Sequence, residues 1–204
     1  MGIVPSFVLE QESSVSPVCG IDEAGRGPWA GPVVAAAVIF KTHVMPKGLN
    51  DSKKLTAASR EALYAYIMEH CHVGVGEASV EEIDRINILR ATELAMQRAM
   101  AALPVAPLFA LVDGNRIPPI AIPAQAIVKG DSKCASIAAA SVIAKVTRDR
   151  IMAAYGLQYP QYGFDTNAGY GTAKHQQAIA EHGILDIHRK SFAPIREVLE
   201  QRTA

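Results

Sequence analysis

An excess of charge of either sign is missing from this chain. Its 204 residues carry 20 Lys and Arg against 20 Asp and Glu, a formal net of zero. A whole-chain basic footprint for nucleic acid is therefore absent, and the slight acidic surplus of the first half over the second decides nothing alone. Cysteine is scarce. Cys19, Cys71 and Cys134 stand among apolar or small residues without metal-ligand spacing, and three cannot all pair. Buried free thiols in a reducing compartment are the expectation. The six histidines show no zinc-site spacing beside them. No apolar run reaches the roughly 18 residues of a membrane helix. Met1 to Pro17 lacks the basic start and apolar centre of a signal peptide. These absences predict a cytoplasmic protein with no membrane partner. Half of the residues are hydrophobic, enough for one sizeable core, and no repeat or low-complexity linker divides the chain. One domain over 1–204 follows, with a leader at 1–16 and a C-terminal helical region from about 172.

What is present centres on Gly20-Ile21-Asp22-Glu23-Ala24-Gly25-Arg26-Gly27-Pro28. Apolar residues lead into two adjacent carboxylates, a Gly-Arg-Gly turn follows, and a second apolar run spans Val33 to Phe40. The pattern predicts two buried strands, an antiparallel pair over Val18–Asp22 and Val33–Phe40. Side chains alternate along a strand, so Asp22 and Glu23 share one site only where the strand ends or bends. Carboxylates beside a buried strand repel one another and lose hydration, and a divalent metal is the usual compensation.

Along the chain, Phe7–Leu9 reads as an edge segment of the leader. Thr56 caps a helix over Ala57–His70 with an inner stripe of Leu63, Ile67 and Cys71. His72–Ala78 is a short strand. Ser79 to Glu82 has the form of a capping box that opens a short helix, followed by a longer one over about Ile88–Leu103. Leu108–Val112 and Ala126–Val128 read as strands that run into Asp113-Gly114 and Gly130-Asp131. A long helix from Lys133 to about Ala154 carries a face of small residues, Ala135, Ala138, Ala139, Val142 and Val146. Residues 153–162 look less regular, and 163–171 look like loop. Thr172 caps a helix over Ala173–His182, and a last helix covers about Pro194–Gln201. Early strands with helices around them predict an α/β fold on a mixed sheet.

Asp22, Glu23, Asp113 and Asp131 share one grammar: each follows an apolar segment and sits near glycine. Any one of them alone reads first as a turn acid or a cap. Together they mark strand ends, where ligand sites of α/β sheets gather. Oxygen ligands of this kind suit Mg²⁺ or Mn²⁺. Asp131, just before the long helix, is expected to have its anion favoured by the helix dipole. Lys129 is placed to pair with a phosphate or an acid.

These blocks resemble type 2 ribonuclease H, the ribonuclease HII family. So do Leu49-Asn50-Asp51-Ser52-Lys53-Lys54-Leu55, Gly169-Tyr170-Gly171-Thr172 and His188-Arg189-Lys190-Ser191-Phe192, all in the family's order. The resemblance implies an RNase H-like mixed five-stranded sheet flanked by helices, with a small helical C-terminal region. It implies an endoribonuclease that uses two Mg²⁺ or Mn²⁺ ions. Asp22 would bridge the ions, Asp131 would complete the water-activating site, and Glu23 and Asp113 would hold the leaving-group side. Its substrates would be RNA–DNA hybrids and duplex DNA with embedded ribonucleotides, cut to 5′-phosphate and 3′-hydroxyl ends. Gly25, Arg26 and Gly27 match the family's reader of the 2′-hydroxyl. Tyr170 matches the tyrosine that packs on the next sugar. Ser52 and Lys53 match phosphate contacts, with Lys54, Lys129, His188 and Arg189 weaker candidates.

One departure stands out. Asn167 and Ala168 occupy positions where the family often has His-Lys, which removes two cations from the expected nucleic-acid face. Two other readings compete: a non-catalytic binding module, which the four retained acids argue against, and a type 3 enzyme, whose extra N-terminal domain the short leader does not match. A monomer is expected, and no clear clamp-binding motif ends the tail.

Overall fold

The computed structural model describes residues 4–203. In chain order the elements are α1 (Val8–Glu12), β1 (Val18–Ala24), β2 (Val33–Phe40), α2 (Ala57–His70), β3 (Cys71–Ala78) and α3 (Val80–Ala101). Then come β4 (Phe109–Asp113), β5 (Ala124–Ile127), α4 (Ala135–Gln158), α5 (Phe164–Asn167), α6 (Ala173–His182) and α7 (Ala193–Thr203). The five strands form one sheet in the order β3-β2-β1-β4-β5. β1 is antiparallel to β2 with Gly20 opposite Val38, and β2 is antiparallel to β3. β1 runs parallel to β4, and β4 parallel to β5. The α/β reading with a mixed five-stranded sheet therefore holds.

Helices cover both faces, which is why β1 and β2 are apolar at nearly every position. On one face α3 buries Ala95 and Ala99 with Ile21, Ala35, Ala37 and Val112. On the other, Ala138, Ala139 and Val142 of α4 meet Ala36 and Val38, with Leu63 and Ile67 of α2 beyond. The small residues of α4 let it lie close. At Gly20 a Cβ would collide with the Ser136–Ile137 backbone, so β1 and the start of α4 touch main chain to main chain. That contact brings the acid-bearing end of β1 beside the start of α4.

Helix starts follow their caps. Thr56 and Thr172 accept the Ser59 and His175 amides, and the Ser79–Glu82 capping box is present. Several boundaries differ from the sequence reading. Cys71 opens β3 instead of closing α2. The two helices expected after Ser79 are present, running end to end within α3 and broken at Asn87, whose non-helical backbone (φ 66°, ψ 163°) lets its side chain accept the Leu89 and Arg90 amides and cap the second. α4 runs on to Gln158 because Met152, Tyr155 and Tyr159 pack into a separate core with Tyr162 and Phe164. A short helix, α5, lies inside the expected loop.

The leader segment Phe7–Leu9 is not a strand. Ser6 makes one parallel bridge to Cys134, and α1 follows at once. Phe7 sets its ring edge-on to Phe40, and Glu10 turns inward, where its Oε1 accepts the Ser136 amide at 2.8 Å and the Cys134 thiol at 3.1 Å. The leader thus caps the start of α4. All three cysteines are buried and free, as expected.

Candidate active site

Three parallel strands bring three acids to one edge of the sheet. Ile21 of β1 pairs with Val112 of β4, so Asp22 and Asp113 follow side by side, and Asp113 in turn pairs with Ile127 of β5. The 3-10 turn Gly130–Ser132 follows β5 and carries Asp131. Asp113 fixes this turn: its Oδ1 accepts the Gly130 amide at 2.7 Å. Asp22 and Asp131 are buried, 5% and 6% exposed. Glu23, on the opposite side of β1, lines both the groove beside the Gly25–Gly27 turn and a second one bounded by Asp113, Asn115 and Arg116. The four acids expected from sequence thus stand around one strand edge.

Their electrostatics are those of an anion-rich site short of cations. Burial lifts the Asp22 carboxyl well above its usual range, and the charges of Glu23 and Asp113 add to this. Glu23 is raised by burial, then by Asp113, against the pull of Arg26, whose Nη1 lies 3.4 Å from its Oε1. Asp131 is raised by burial, then by Asp51 and Asp113. This reverses the dipole expectation for Asp131. The first helical residue of α4 is Ala135, with Ser132, Lys133 and Cys134 between, and the dipole falls off within about one turn. For Lys53, burial opposes the charge, but Asp22, Asp51, Asp131 and Asp113 outweigh it and raise the pKa. Among the described residues no three His, Cys, Asp or Glu side chains converge as a ready-made metal cage. The donor set nevertheless fits a hard divalent cation: carboxylate oxygens, partly desolvated, repelling one another, with Lys53 and Arg26 as the nearest compensation.

Beside the acids lies a groove lined by Glu23, Gly25, Arg26, Gly27, Ser52, Lys53 and Tyr170, among others. Gly25 has φ 96°, and a Cβ there would strike the Arg148 side chain, so both conformation and space require glycine. Tyr170 is half exposed, and its ring edge stands in van der Waals range of where a Gly27 Cβ would be. The turn and the tyrosine are therefore facing walls. Asp51 supports the lysine side of the groove: its Oδ1 accepts the Lys53 amide at 2.9 Å. Ser52 is buried, with its hydroxyl accepting from Ser141 at 2.7 Å. Lys54 reaches the Ser132 hydroxyl at 2.9 Å and ties this turn to the one that bears Asp131. Lys129 is exposed at the left-handed position before Gly130.

His188 and Arg189 correct the sequence reading. Both are fully buried, so neither is a phosphate contact on a surface. Arg189 donates to the carbonyls of Gly25, Arg26, Gly31 and Pro32. Arg148, which the sequence did not single out, donates to Ala30, Pro32 and Ala168. Asn167 likewise faces inward: its Nδ2 donates to the Tyr162 carbonyl at 2.7 Å, and its Oδ1 accepts the Gly169 amide at 2.8 Å. At the position of an expected surface cation, it orders the loop that carries Tyr170. Asp51, Ser141 and Arg148 are the supporting residues that the sequence reading passed over. Only Asp51 left a signal, through its place in the Asp-Ser-Lys-Lys turn.

Fold and acids together define a chain of the RNase H class. The chain is similar in fold to the ribonuclease H2 from Pyrococcus horikoshii, with a TM-score of 0.75 and 27% identity over 90% of this chain and 97% of that one. It is similar in fold also to Bst-RNase HIII in complex with Mn²⁺, with a TM-score of 0.71 and 21% identity over 90% and 69%. The family model described as Ribonuclease HII matches residues 19–195. A ribonuclease HII of Paracoccus denitrificans is 54% identical over 199 residues, 96% of this chain and 95% of its own. The chain belongs to the ribonuclease HII family. It is a ribonuclease H, a hydrolase that cleaves RNA.

Proposed function

We propose that the enzyme hydrolyses the RNA strand of RNA–DNA hybrids and cuts on the 5′ side of ribonucleotides embedded in duplex DNA. The observation that carries this reading is the groove in which the Gly25-Arg26-Gly27 turn faces Tyr170 beside the acid-bearing strand ends. A bare backbone turn can approach a 2′-hydroxyl, the group that separates RNA from DNA. A tyrosine ring across from it favours a deoxyribose on the 3′ side, where an extra hydroxyl would lose hydration.

Asp22, Glu23, Asp113 and Asp131 would hold two Mg²⁺ or Mn²⁺ ions, and Mn²⁺ accompanies the Bst-RNase HIII neighbour of the same fold. Such ions, when bound, stabilise charge on the attacking and leaving oxygens of a phosphodiester. The chain's own residues do the rest. Arg26 and Lys53 flank the acids and meet the incoming phosphate charge. Lys54 and Lys129 stand further along the same side. Water oxygen bonds to phosphorus, the bond to the 3′ oxygen breaks, and that oxygen leaves with a proton. The products are a 3′-hydroxyl and a 5′-phosphate on the ribonucleotide. The protein would act as a monomer.

The test is cleavage of three matched duplexes, all-DNA, one ribonucleotide and a long hybrid, with Mg²⁺ or Mn²⁺. Comparable cutting of the all-DNA duplex would sink the 2′-hydroxyl reading.

A further inference from the structure

Two guanidinium groups are buried beneath the recognition groove, and among the described residues neither pairs with a carboxylate. A buried cation without an anion is costly unless its donors are met in full. Here backbone carbonyls meet them. Arg189 donates from Nη1 to the Arg26 carbonyl at 2.9 Å, from Nη2 to Gly25 and Pro32, and from Nε to Gly31 at 2.9 Å. Arg148 holds Pro32, Ala30 and Ala168 at 3.0, 3.0 and 2.9 Å. Burial lowers both guanidinium pKa values, Arg189 to about 9 and Arg148 to about 10, so they remain cations at neutral pH.

The consequence lies in peptide geometry. A trans peptide sets its C=O and N–H on opposite sides. The carbonyls of Gly25 and Arg26 both turn toward Arg189. The amides of the same two peptides, those of Arg26 and Gly27, must then point away from it, toward the open groove. Among the described residues neither amide has a protein acceptor. Two successive N–H groups aimed the same way make a small cradle for an electronegative oxygen.

The residue before Arg189 serves the opposite wall. The Tyr170 carbonyl can only accept, so His175 Nδ1, 2.9 Å away, carries a hydrogen. In the neutral ring His175 Nε2 then accepts from His188 Nε2 at 3.0 Å, and His188 Nδ1 accepts the Leu185 amide at 2.8 Å. Every nitrogen has one consistent role. His188 is also bridged to Ala30, and the Arg189 amide donates to the Trp29 carbonyl at 2.8 Å.

We infer that Arg189 is a positioning residue for ribonucleotide recognition: it aims the Arg26 and Gly27 amides into the groove, while adjacent His188, through His175, holds Tyr170 opposite them. The dipeptide thus sets the gap between the two walls. The inference rests on the proposed 2′-hydroxyl reading, and its test separates the two. In one cleavage assay the KM for a single-ribonucleotide duplex is compared with the Ki of the matched all-DNA duplex as competitor. The ratio of Ki to KM reports the worth of the 2′-hydroxyl and does not depend on the fraction of active protein. The parent enzyme should show a ratio well above one. In Arg189→Lys, which keeps the charge but loses the fork, the ratio should fall by at least about fivefold. The Mn²⁺-induced rise in melting temperature should stay at the parent value. A parent ratio near one overturns the reading and the inference with it. A selective parent with an equally selective Arg189→Lys overturns the inference alone, as does an equal loss of the Mn²⁺ response. Should Arg189→Lys not fold, a crystal structure of the parent on a single-ribonucleotide duplex decides. The Gly25 and Arg26 carbonyls must still lie on Arg189, with the two amides in hydrogen-bond range of the 2′-oxygen. Peptides flipped away from Arg189 would overturn it.

Discussion

Acid should attack this protein first at His188. The ring is fully buried, set at a tilt among Tyr162, Phe164 and His175, and its two nitrogens are committed, one accepting and one donating. A proton added at Nδ1 would displace the Leu185 amide, and one added at His175 Nε2 would set two donors face to face. Burial, then the neighbouring His175, accordingly lowers the His188 pKa to about 4, and His175 is lowered too, mainly by burial. The sign follows from linkage. Below about pH 6.5 the unfolded chain takes up a proton that the folded chain refuses, so stability falls as pH drops from there toward 4. A difference of 6.5 against about 4 is worth roughly 3 kcal/mol in full, and roughly 2 kcal/mol of it should be lost by pH 5. The assay is urea unfolding at several pH values between 7.5 and 4.5, with the m-value checked for constancy. His188→Gln keeps a donor for His175 and removes the titration. It should start lower at pH 7.5, by about 1–2 kcal/mol for the lost acceptor, yet fall less steeply with acid. Parallel pH profiles for parent and variant would refute the neutral, fully committed histidine pair.

Asp131→Asn should abolish cleavage and leave the circular dichroism spectrum unchanged, because the amide is isosteric and lifts a charge that Asp51 and Asp113 already oppose; near-normal turnover in Mg²⁺ would remove Asp131 from the metal site. Mn²⁺ should raise the melting temperature of the parent by mass action, and much less so in Asp22→Asn, with equal rises counting against the site. Tyr170→Ala should lose most activity on a single embedded ribonucleotide, while Tyr170→Phe should keep much of it if ring packing outweighs the hydroxyl; cleavage rates on that duplex decide.

The acids were legible because each ends an apolar run at glycine, a pattern that strand physics produces and the sheet confirms. β1, β4 and β5 do carry Asp22, Asp113 and Asp131 to one edge. Caps were legible for a similar reason: Thr56, Ser79 and Thr172 act within three residues of themselves. The failures are of the opposite kind. The sequence reading stops the α4 helix short at about Ala154 because its continuation to Gln158 depends on Tyr155 and Tyr159 meeting a distant core. The leader helix depends on Phe40 and Ser136, far along the chain. His188 and Arg189 looked like surface cations because a basic pair reads as polar. Their partners are backbone carbonyls more than a hundred residues away for Arg189, and a carbonyl leaves no mark in a sequence.

This asymmetry explains how the site divides its labour. The acid side is held by the sheet itself, through strand register and the Asp113–Gly130 bond, and needs no cation from the protein to be built. It is left electrostatically unsatisfied, which is what the proposed metal site requires. The proposed reading side has no strand to hold it. A glycine turn and an exposed tyrosine would wander if only their own residues fixed them, since glycine restrains its backbone least of all. Buried arginines are suited to that task, because a guanidinium presents several donors in a fixed plane and can gather carbonyls from separate loops at once. The C-terminal region therefore contributes to the site without touching it: its His188-Arg189 step is the point at which the turn after β1 and the loop before α6 are brought to a common frame.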